Sequence, residues 1–395
     1  MGLKIFLLTL LLSFTISNFG QTKSITLSAN VNLPKDTIVS NRLVKSLNDF
    51  LALKENPNKE NVFVEKEDLL ETSLLLDEIK KIERNAKTKD DNFYKGYLTN
   101  VVQLDKDNFL VQFSYMGVNE NIPVLAASFE FIAKQKDTKF YFSSPLKRNT
   151  SSWKTKKIGN CTFHFKNTLD NKVASEYVKT VALLDKKLNT TNAQIEWYGC
   201  KDFPDILHNI GVDYKLDYNG KSSTNFTANE NNTLLIVSGN DDESFSSFDP
   251  HDLWHERARF AYSRTLINKP VDEGCAYLYG GSWGISWGDI LKTFKEKVAS
   301  NPKTDWLTLA LYETPQLNFG ESQEKHLMAD YVVNALLVKK IEKEKGFSAV
   351  VEFLCCGKNK KGGSDNYFIV LEKLTGINKT NFNAKVWELI TESKV

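Results

Sequence analysis

The sequence predicts an α+β protein of two domains, and three observations lead to this prediction. Its 395 residues are enough for two or three domains, each with a core of its own. Segments with the 3.6-residue apolar repeat of helices occur beside segments with the alternating repeat of strands. Strand-like segments dominate residues 94–142, whereas the last third is almost entirely helical in pattern. We therefore expect a two-helix plus antiparallel-sheet domain, followed by a domain with a small sheet and a mostly helical C-terminal half.

The first 20 residues have the features of a signal peptide. Lys4 gives a positively charged start, and residues 5–16 form an apolar run that is too short to span a bilayer comfortably. Gly20 offers a small residue for cleavage. No later segment is long and apolar enough for a transmembrane helix. We expect an exported protein, periplasmic or secreted, without stable membrane insertion.

Charge and cysteine content exclude several classes of function. The formal net charge is +2, and this near balance argues against a nucleic-acid partner or an anionic membrane surface. The five cysteines are odd in number and have no Cys-x-x-Cys spacing, which excludes a disulfide-built scaffold and disfavours a thiolate metal site. Cys275 is interpreted as a buried packing residue rather than a nucleophile. The sequence does not indicate an oligomeric state.

Residues 21–150 are predicted to form the first domain. Apolar residues repeat at helical spacing in residues 43–53 and 66–86, and Pro57 lies between the two segments. Strands are predicted where apolar residues then alternate or run together, at residues 94–104, 108–116, 124–134 and 140–142. Two helices followed by a curved antiparallel sheet resemble an NTF2-like domain. This likeness exists at the level of the fold alone and implies a scaffold or partner-binding role.

A polar and basic segment, residues 145–157, is predicted to be a linker, and residues 158–395 the second domain. Residues 219–231 are rich in Asn, Ser, Thr and Gly and are expected to be a loop. Strands are predicted at residues 162–165, 193–198 and 233–238. Helices are predicted at residues 170–188, 202–210, 307–312, 323–345, 349–355, 367–374 and 382–390.

A histidine pair lies at the start of a predicted helix in the second domain. Asp249 is suited to cap the helix, and the next residue is a proline, which loses no hydrogen bond at the first helical position. His251 and His255 are four residues apart, so both imidazoles lie on one face within reach of a single ion. Glu273 opens the next predicted helix. Two imidazoles and one carboxylate, with a fourth position for water, are the ligand set of a hydrolytic zinc site.

These residues also carry a resemblance to a known family. The motif HDLWH followed by DEGCAYLYGG resembles the peptidase MA-like domains of the gluzincin metallopeptidases, whose pattern is His-Glu-x-x-His and then Glu-Gly on the next helix. The resemblance covers nearly all of residues 158–395 and implies a zincin-like domain that acts on peptides or proteins. It implies that His251, His255 and Glu273 bind Zn²⁺ and that Asp252 is the general base. It further implies an edge strand that can pair with an extended substrate.

One residue departs from the family pattern. The family has glutamate where this chain has Asp252, and the shorter side chain places the carboxylate roughly 1 Å or more farther from the attacking water. We therefore expect a zinc metallopeptidase. The alternative is a catalytically impaired peptidase-fold protein that binds peptides or proteins without cleaving them.

Aromatic residues near the motif add further candidates. Tyr331 or His326 is predicted to stabilise the oxyanion of the transition state, and the alternative for Tyr331 is simple packing between helices. Residues 280–288 are predicted to be an aromatic loop at the mouth of the cleft, in which Trp283 and Trp287 either stack on substrate or pack. Some gluzincins carry a supporting acid where this chain has Tyr277.

Overall fold

A computed structural model describes residues 25–190, 193–223, 225–239, 244–320, 326–358 and 365–394. The protein is an α+β protein, 44% helical and 23% strand, with two mixed sheets and a helical C-terminal half, as the sequence predicts. The predicted signal peptide lies outside the described residues. None of the helices in the described ranges is long and apolar enough to cross a membrane.

Strands and helices are numbered separately in chain order. The strands are β1 (Thr26–Leu27), β2 (Lys95–Gln103), β3 (Asn108–Asn119), β4 (Ile122–Lys136), β5 (Lys139–Ser143), β6 (Lys154–Ile158), β7 (Cys161–Phe165), β8 (Gln194–Gly199), β9 (Val212–Lys215), β10 (Asn225–Glu230) and β11 (Thr233–Ser238). The helices are α1 (Thr37–Ala52), α2 (Leu69–Ile79), α3 (Leu146–Asn149), α4 (Asn171–Leu188), α5 (Phe203–Ile210), α6 (Pro250–Ala261), α7 (Lys269–Gly280), α8 (Trp287–Ala299), α9 (Trp306–Ala310), α10 (Ala329–Lys345), α11 (Phe347–Leu354), α12 (Asp365–Thr375) and α13 (Phe382–Glu392).

The chain divides into two compact units whose boundary is not a single point in the sequence. The first unit contains the described residues up to Asn149 together with Leu207–Ser222. The second contains Thr150–Ile206 and the described residues from Ser223 onward. The predicted ranges, 21–150 and 158–395, placed residues 207–222 in the second domain, whereas the structure places them in the first unit.

The first unit is built on a sheet of order β1-β2-β3-β4-β5, in which β9 also pairs with β4. Strands β2 to β5 form an antiparallel meander, and β1 pairs with β2 in parallel. β5 covers one end of the outer edge of β4, and β9 pairs with Ala127, Ser128 and Phe129 farther along. Because β9 is short and follows α5, its sequence pattern alone does not reveal that it belongs to this sheet.

Phenylalanine rings fill the core of the first unit. Phe50 of α1 packs edge-on against Phe131 of β4, with ring centroids 5.2 Å apart, and Phe113 of β3 stacks on Phe131 at 5.5 Å. All three side chains are fully buried. The inward positions of β3 and β4 alternate with more exposed ones, which is the strand pattern that the sequence predicts.

The first unit also contains an open cleft of about 760 Å³ beside the end of α1 and the start of β2. Its lining includes Tyr94, Tyr97 and Tyr115, and the nearly buried Lys54, which forms ion pairs with Glu55 and Glu83. Burial, and secondarily the negative charges of Glu83 and Glu55, hold the pKa of Tyr115 well above its usual value. The cleft shares no lining residue with the histidine pair.

The second unit begins with a five-stranded sheet of order β10-β11-β8-β7-β6. The three central strands are parallel, and the two edge strands run antiparallel to them. Both edge strands contradict the sequence prediction. The predicted linker, residues 145–157, contains most of β6. Its side chains there are polar or charged, but an edge strand facing water needs no apolar face. The expected loop at residues 219–231 contains β10, which forms by pairing with β11.

In the described ranges, helices α4 and α6 to α13 pack with this sheet in the second unit, which also includes the start of α5. One hydrophobic core joins the sheet to α4 and to these helices, and its largest fully buried side chains include Trp254, Tyr277, Phe294 and Trp306. Most predicted helices of the C-terminal half are confirmed within two residues at each end, but α8 was not predicted. The predicted helix 323–345 begins only at Ala329, because residues 326–328 are not helical and residues 321–325 lie outside the described ranges. The predicted aromatic loop is shorter than expected, because α8 begins at Trp287.

Candidate metal centre

Helix α6 carries the histidine pair, and its first turn forms as the sequence predicts. The side chain of Asp249 accepts a hydrogen bond from the backbone N–H of His251 at 2.9 Å, and Pro250 takes the first helical position. Leu253, Trp254 and other apolar residues bury one face of the helix in the core. The imidazole rings of His251 and His255 contact residues of α7 and its C-terminal end instead.

Glycine allows α7 to lie close to its neighbours on both sides. A Cβ atom on Gly274 would be 2.7 Å from the backbone nitrogen of Ala335 in α10. A Cβ atom on Gly280 would be 2.5 Å from the backbone nitrogen of His251 in α6. Both distances are shorter than real Cβ contacts, so any larger residue would push the helices apart. These close crossings bring Glu273 to the histidine pair.

Three side-chain atoms from the two helices converge. The Nε2 atoms of His251 and His255 are 3.3 Å apart, and each is 3.5 Å from Oε2 of Glu273. In a tetrahedral site with zinc–ligand bonds of about 2.0–2.1 Å, neighbouring donor atoms lie about 3.3–3.4 Å apart. The triangle of donor atoms therefore has the size that a single ion of this kind requires. The three side chains are buried or half-buried.

Hydrogen bonds to the other ring nitrogens fix both imidazoles. Nδ1 of His255 is 2.8 Å from Oδ2 of Asp272, and Nδ1 of His251 is 2.7 Å from the backbone oxygen of Gly281. Both partners are acceptors, so each Nδ1 carries the proton, and in the neutral rings the Nε2 lone pairs face the common point. The second oxygen of Asp272 accepts a hydrogen bond from Trp254 at 2.9 Å. Such partners orient ligands and raise their basicity in metal sites.

The charges of the cluster are strongly coupled. Burial by itself lowers the pKa of His255, but hydrogen bonds to Asp272 and Glu273 outweigh burial and raise this pKa to about 9. Burial raises the pKa of Glu273, but the hydrogen bonds from His251 and His255 outweigh it and lower this pKa to about 2. At neutral pH the metal-free cluster therefore favours a protonated His255 beside an ionised Glu273. A bound cation would take the place of this proton.

Asp252, the predicted general base, has an exposed side chain in the first turn of α6. Glu256 lies one turn farther along the helix and is half-buried, where it accepts a hydrogen bond from the hydroxyl of Tyr177 at 3.3 Å. Burial raises the pKa of Glu256 to about 7, against the lowering effect of neighbouring Arg257.

Tyr331 lies close to the cluster. Its ring packs edge-on against the ring of Tyr277 at 5.5 Å, and the ring of Tyr277 is 5.8 Å from that of His251. Burial, followed by the negative charge of Glu273, raises the pKa of Tyr331 well above its usual value, so the hydroxyl keeps its proton. His326, the other candidate, is exposed, and its Nδ1 is 2.9 Å from the side-chain nitrogen of Asn318.

Two contributors to this region are not evident from the sequence. Asp272 directly precedes Glu273, whereas the family resemblance places a supporting acid at the position of Tyr277. The place of Asp272 directly before the ligand candidate is the signal that could have identified it. Asp330, at the start of α10, is also buried, accepts a hydrogen bond from Tyr312 at 3.2 Å, and has a pKa that burial raises to about 6.

His251, His255 and Glu273 thus form a group that could hold a metal ion. A second acidic group in the described residues consists of Glu65, Glu67 and Asp68. Lysines form ion pairs with Glu65 and Asp68, so this group is a weaker candidate for metal binding. No protein-family model matches the sequence, and no curated protein matches it. Any assignment of function therefore depends on the geometry and chemistry of the site itself.

Proposed function

We propose that this chain is an exported zinc-dependent metallopeptidase related in plan to the gluzincins. The observation that carries the proposal is the triangle of donor atoms formed by His251, His255 and Glu273, with both Nδ1 atoms held by acceptors. Nitrogen and carboxylate ligands that leave one position open are typical of catalytic rather than structural zinc sites. The proposed substrate is a peptide or protein.

The residues of the chain have separate roles in this proposal. When bound, zinc supplies Lewis acidity, which lowers the pKa of its water toward neutrality and polarises the scissile carbonyl. The carboxylate of Asp252 takes a proton from the attacking water and delivers it to the leaving amine. The hydroxyl of Tyr331, which stays protonated, donates a hydrogen bond to the oxyanion. Asp272 and the Gly281 carbonyl keep the two rings oriented throughout.

Metal analysis combined with peptide cleavage tests the proposal. We expect one zinc ion per chain in the wild type, cleavage of a mixed peptide library, and loss of both in His255→Ala. His208→Ala is the matched control, because His208 is exposed and belongs to the first unit. A wild-type protein that binds no divalent metal after incubation with zinc, manganese or cobalt would refute the proposal.

The exposure of Asp252 favours one alternative, in which the site binds peptides without cleaving them. A general base must come within hydrogen-bond reach of its proton, and aspartate is one methylene shorter than the glutamate of the family pattern. The Asp252→Glu variant separates the two functions. The binding function predicts an inert wild type and the appearance of cleavage in the variant, whereas the peptidase function predicts cleavage by the wild type.

A further inference from the structure

The segment between α7 and α8 exposes a tryptophan close to the metal centre. The side chain of Trp283 is 52% exposed, whereas Trp254 and Trp306 of the same unit are fully buried and Trp287 packs partly against the core. Tryptophan is usually well buried because its ring removes a large apolar area from water. The exposure of Trp283 therefore indicates a role other than packing.

The backbone around Trp283 is a tight turn. Ser282 and Ile285 exchange two backbone hydrogen bonds, of 3.0 and 2.8 Å. Trp283 and Gly284 both have positive φ angles, of 54° and 74°. A turn of this kind favours glycine, asparagine or aspartate at both central positions, and a bulky residue there is strained. Neither the turn nor the core requires a tryptophan at position 283.

Contacts on two sides place Trp283 at the rim of the centre. On one side, the backbone oxygen of Gly281 is 2.7 Å from Nδ1 of His251. Trp283 is two residues farther on, so its Cα lies within about 7 Å of that of Gly281. On the other side, the indole N–H of Trp283 donates a hydrogen bond to the backbone oxygen of His326 at 3.2 Å.

The segment that accepts the indole hydrogen bond, at His326, is itself linked to the histidine pair. Two residues later, the backbone N–H of Met328 donates a hydrogen bond to the hydroxyl of Tyr277 at 3.2 Å. The ring of Tyr277 is 5.8 Å from the ring of His251. The backbone and the indole N–H of Trp283 are thus both linked to groups around His251, which restricts the ring, while about half of the side chain stays exposed to solvent.

We propose that Trp283 is a specificity-determining residue that contacts a substrate side chain next to the cleaved bond, and that the site prefers peptides with an aromatic or large apolar residue there. A fixed aromatic ring provides a stacking surface with little loss of conformational entropy on binding. The proposal rests on the peptidase function proposed above and adds the class of substrate to it.

The test uses acetylated hexapeptide amides that differ only in having phenylalanine, leucine or alanine at one central position. Cleavage by the zinc-loaded wild type and by Trp283→Ala is measured as kcat/KM, and the cleaved bond is located by mass spectrometry. Binding of the same peptides to the metal-free proteins is measured by calorimetry. We expect the wild type to prefer phenylalanine over alanine roughly tenfold in both measurements.

In Trp283→Ala we expect this preference to fall to about twofold or less, with the zinc content unchanged. Trp283→Phe should retain most of the preference. Ile369→Ala is the surface control, because Ile369 is 61% exposed on α12. If the wild type cleaves but Trp283→Ala keeps the full preference, this inference is wrong and the peptidase function stands. If the wild type neither binds zinc nor cleaves any peptide, the peptidase function fails and this inference fails with it.

Discussion

Two adjacent carboxylates, Asp272 and Glu273, contribute to the candidate centre in different ways. Glu273 directs an oxygen toward the Nε2 atoms of both histidines, whereas Asp272 accepts hydrogen bonds from the Nδ1 atom of His255 and from Trp254. In a helix, neighbouring residues point about 100° apart, so the two side chains reach opposite sides of the same imidazole. The orientation of His255 therefore depends on a residue that does not contact the proposed ion.

Replacing Asp272 with asparagine should weaken zinc binding without removing any ligand. The amide presents an acceptor and a donor where the carboxylate presents two acceptors, so it cannot satisfy His255 and Trp254 equally well. We expect an affinity loss of roughly 10- to 100-fold, measured by competition with a chromogenic chelator. Asp252→Asn, in the exposed first turn of α6, should leave the affinity unchanged. Equal affinities for wild type and Asp272→Asn would contradict the role given to Asp272.

The stability of the metal-free protein should fall as the pH rises from 7 to 9. The pKa of His255 is raised from 6.5 to about 9 in the folded protein, so its contribution is fully present below about pH 6.5 and is lost as the pH passes 9. Glu273, with a pKa of about 2, stays ionised throughout this range, and Asp330, with a pKa of about 6, has largely lost its proton. Glu256, with a pKa of about 7, contributes in the same direction at the lower end of the range.

Urea unfolding at pH 7, 8 and 9 measures this effect as the difference between the wild type and His255→Gln. The full shift corresponds to about 3 kcal/mol of unfolding free energy. The difference between the two proteins should shrink as the pH rises, because glutamine does not titrate. A difference that stays constant from pH 7 to pH 9 would mean that His255 carries no extra proton in the folded state.

At the scale of elements, the site depends on three helices that cross at short distance. α7 contacts both α6 and α10, and a Cβ atom at Gly274 or Gly280 would collide with the backbone of the neighbouring helix. The position of α6 is also set from its other side, where Arg257 forms a two-point ion pair with Asp185 of α4, at 2.7 and 3.0 Å. Arg257 is fully buried, so this pair is shielded from solvent.

Gly274→Ala should destabilise the protein and weaken zinc binding together. Its Cβ would be 2.7 Å from both the backbone nitrogen of Ala335 and the Cβ of Asn334, and rigid backbone cannot move away cheaply. We expect a loss of roughly 1–3 kcal/mol in chemical denaturation. Gly288→Ala is the matched control, because a Cβ there meets only the Ser286 hydroxyl oxygen at 3.8 Å within α8. A neutral Gly274→Ala would show that α7 and α10 are not tightly packed.

Asp185→Ala should be among the most destabilising single substitutions in the second unit. It would leave the guanidinium of Arg257 buried without its counter-charge, which costs roughly 3–5 kcal/mol. The exposed pair of Lys340 and Glu344 on α10 gives the comparison, and Glu344→Ala should change the unfolding free energy by less than about 1 kcal/mol. Similar losses of unfolding free energy in the two variants would show that the buried ion pair of Asp185 and Arg257 matters no more for stability than an exposed one.

At the scale of the whole molecule, the chain leaves the first unit after Asn149 and returns to it for residues 207–222. The return adds β9 to the edge of β4, and Glu130 also donates a backbone hydrogen bond to Gly211 at 2.9 Å. Gly211 has a φ angle of 94°, and a Cβ there would be 2.4 Å from the backbone oxygen of Glu130. The first unit is therefore incomplete when it is defined by the N-terminal residues alone.

A fragment of residues 25–149 should consequently fold less well than a fragment in which a flexible linker joins it to residues 207–222. Without β9, residues 127–129 present an open strand edge, which promotes association. We expect the shorter fragment to aggregate or to unfold at a lower urea concentration, measured by light scattering and circular dichroism. Equal stability of the two fragments would show that β9 is not needed for the sheet.

The sequence by itself determined the local features of this protein, because they depend on residues close together in the chain. The N-cap at Asp249, the one-turn spacing of His251 and His255, and the alternation in β3 and β4 all belong to this class. The α+β class and the helical C-terminal half also follow from such patterns, since each helix and strand has its own apolar repeat.

Only the tertiary structure decided which distant residues meet. The partners of the Nδ1 atoms, Asp272 and Gly281, come from α7 and its end, and only the packing of α7 against α6 shows that they accept hydrogen bonds from these histidines. The edge strands β6 and β10 form by pairing with neighbours, although their side chains are largely polar. The physical reason is the same in each case, because backbone pairing and hydrogen bonds between distant groups depend on geometry and leave little trace in local composition.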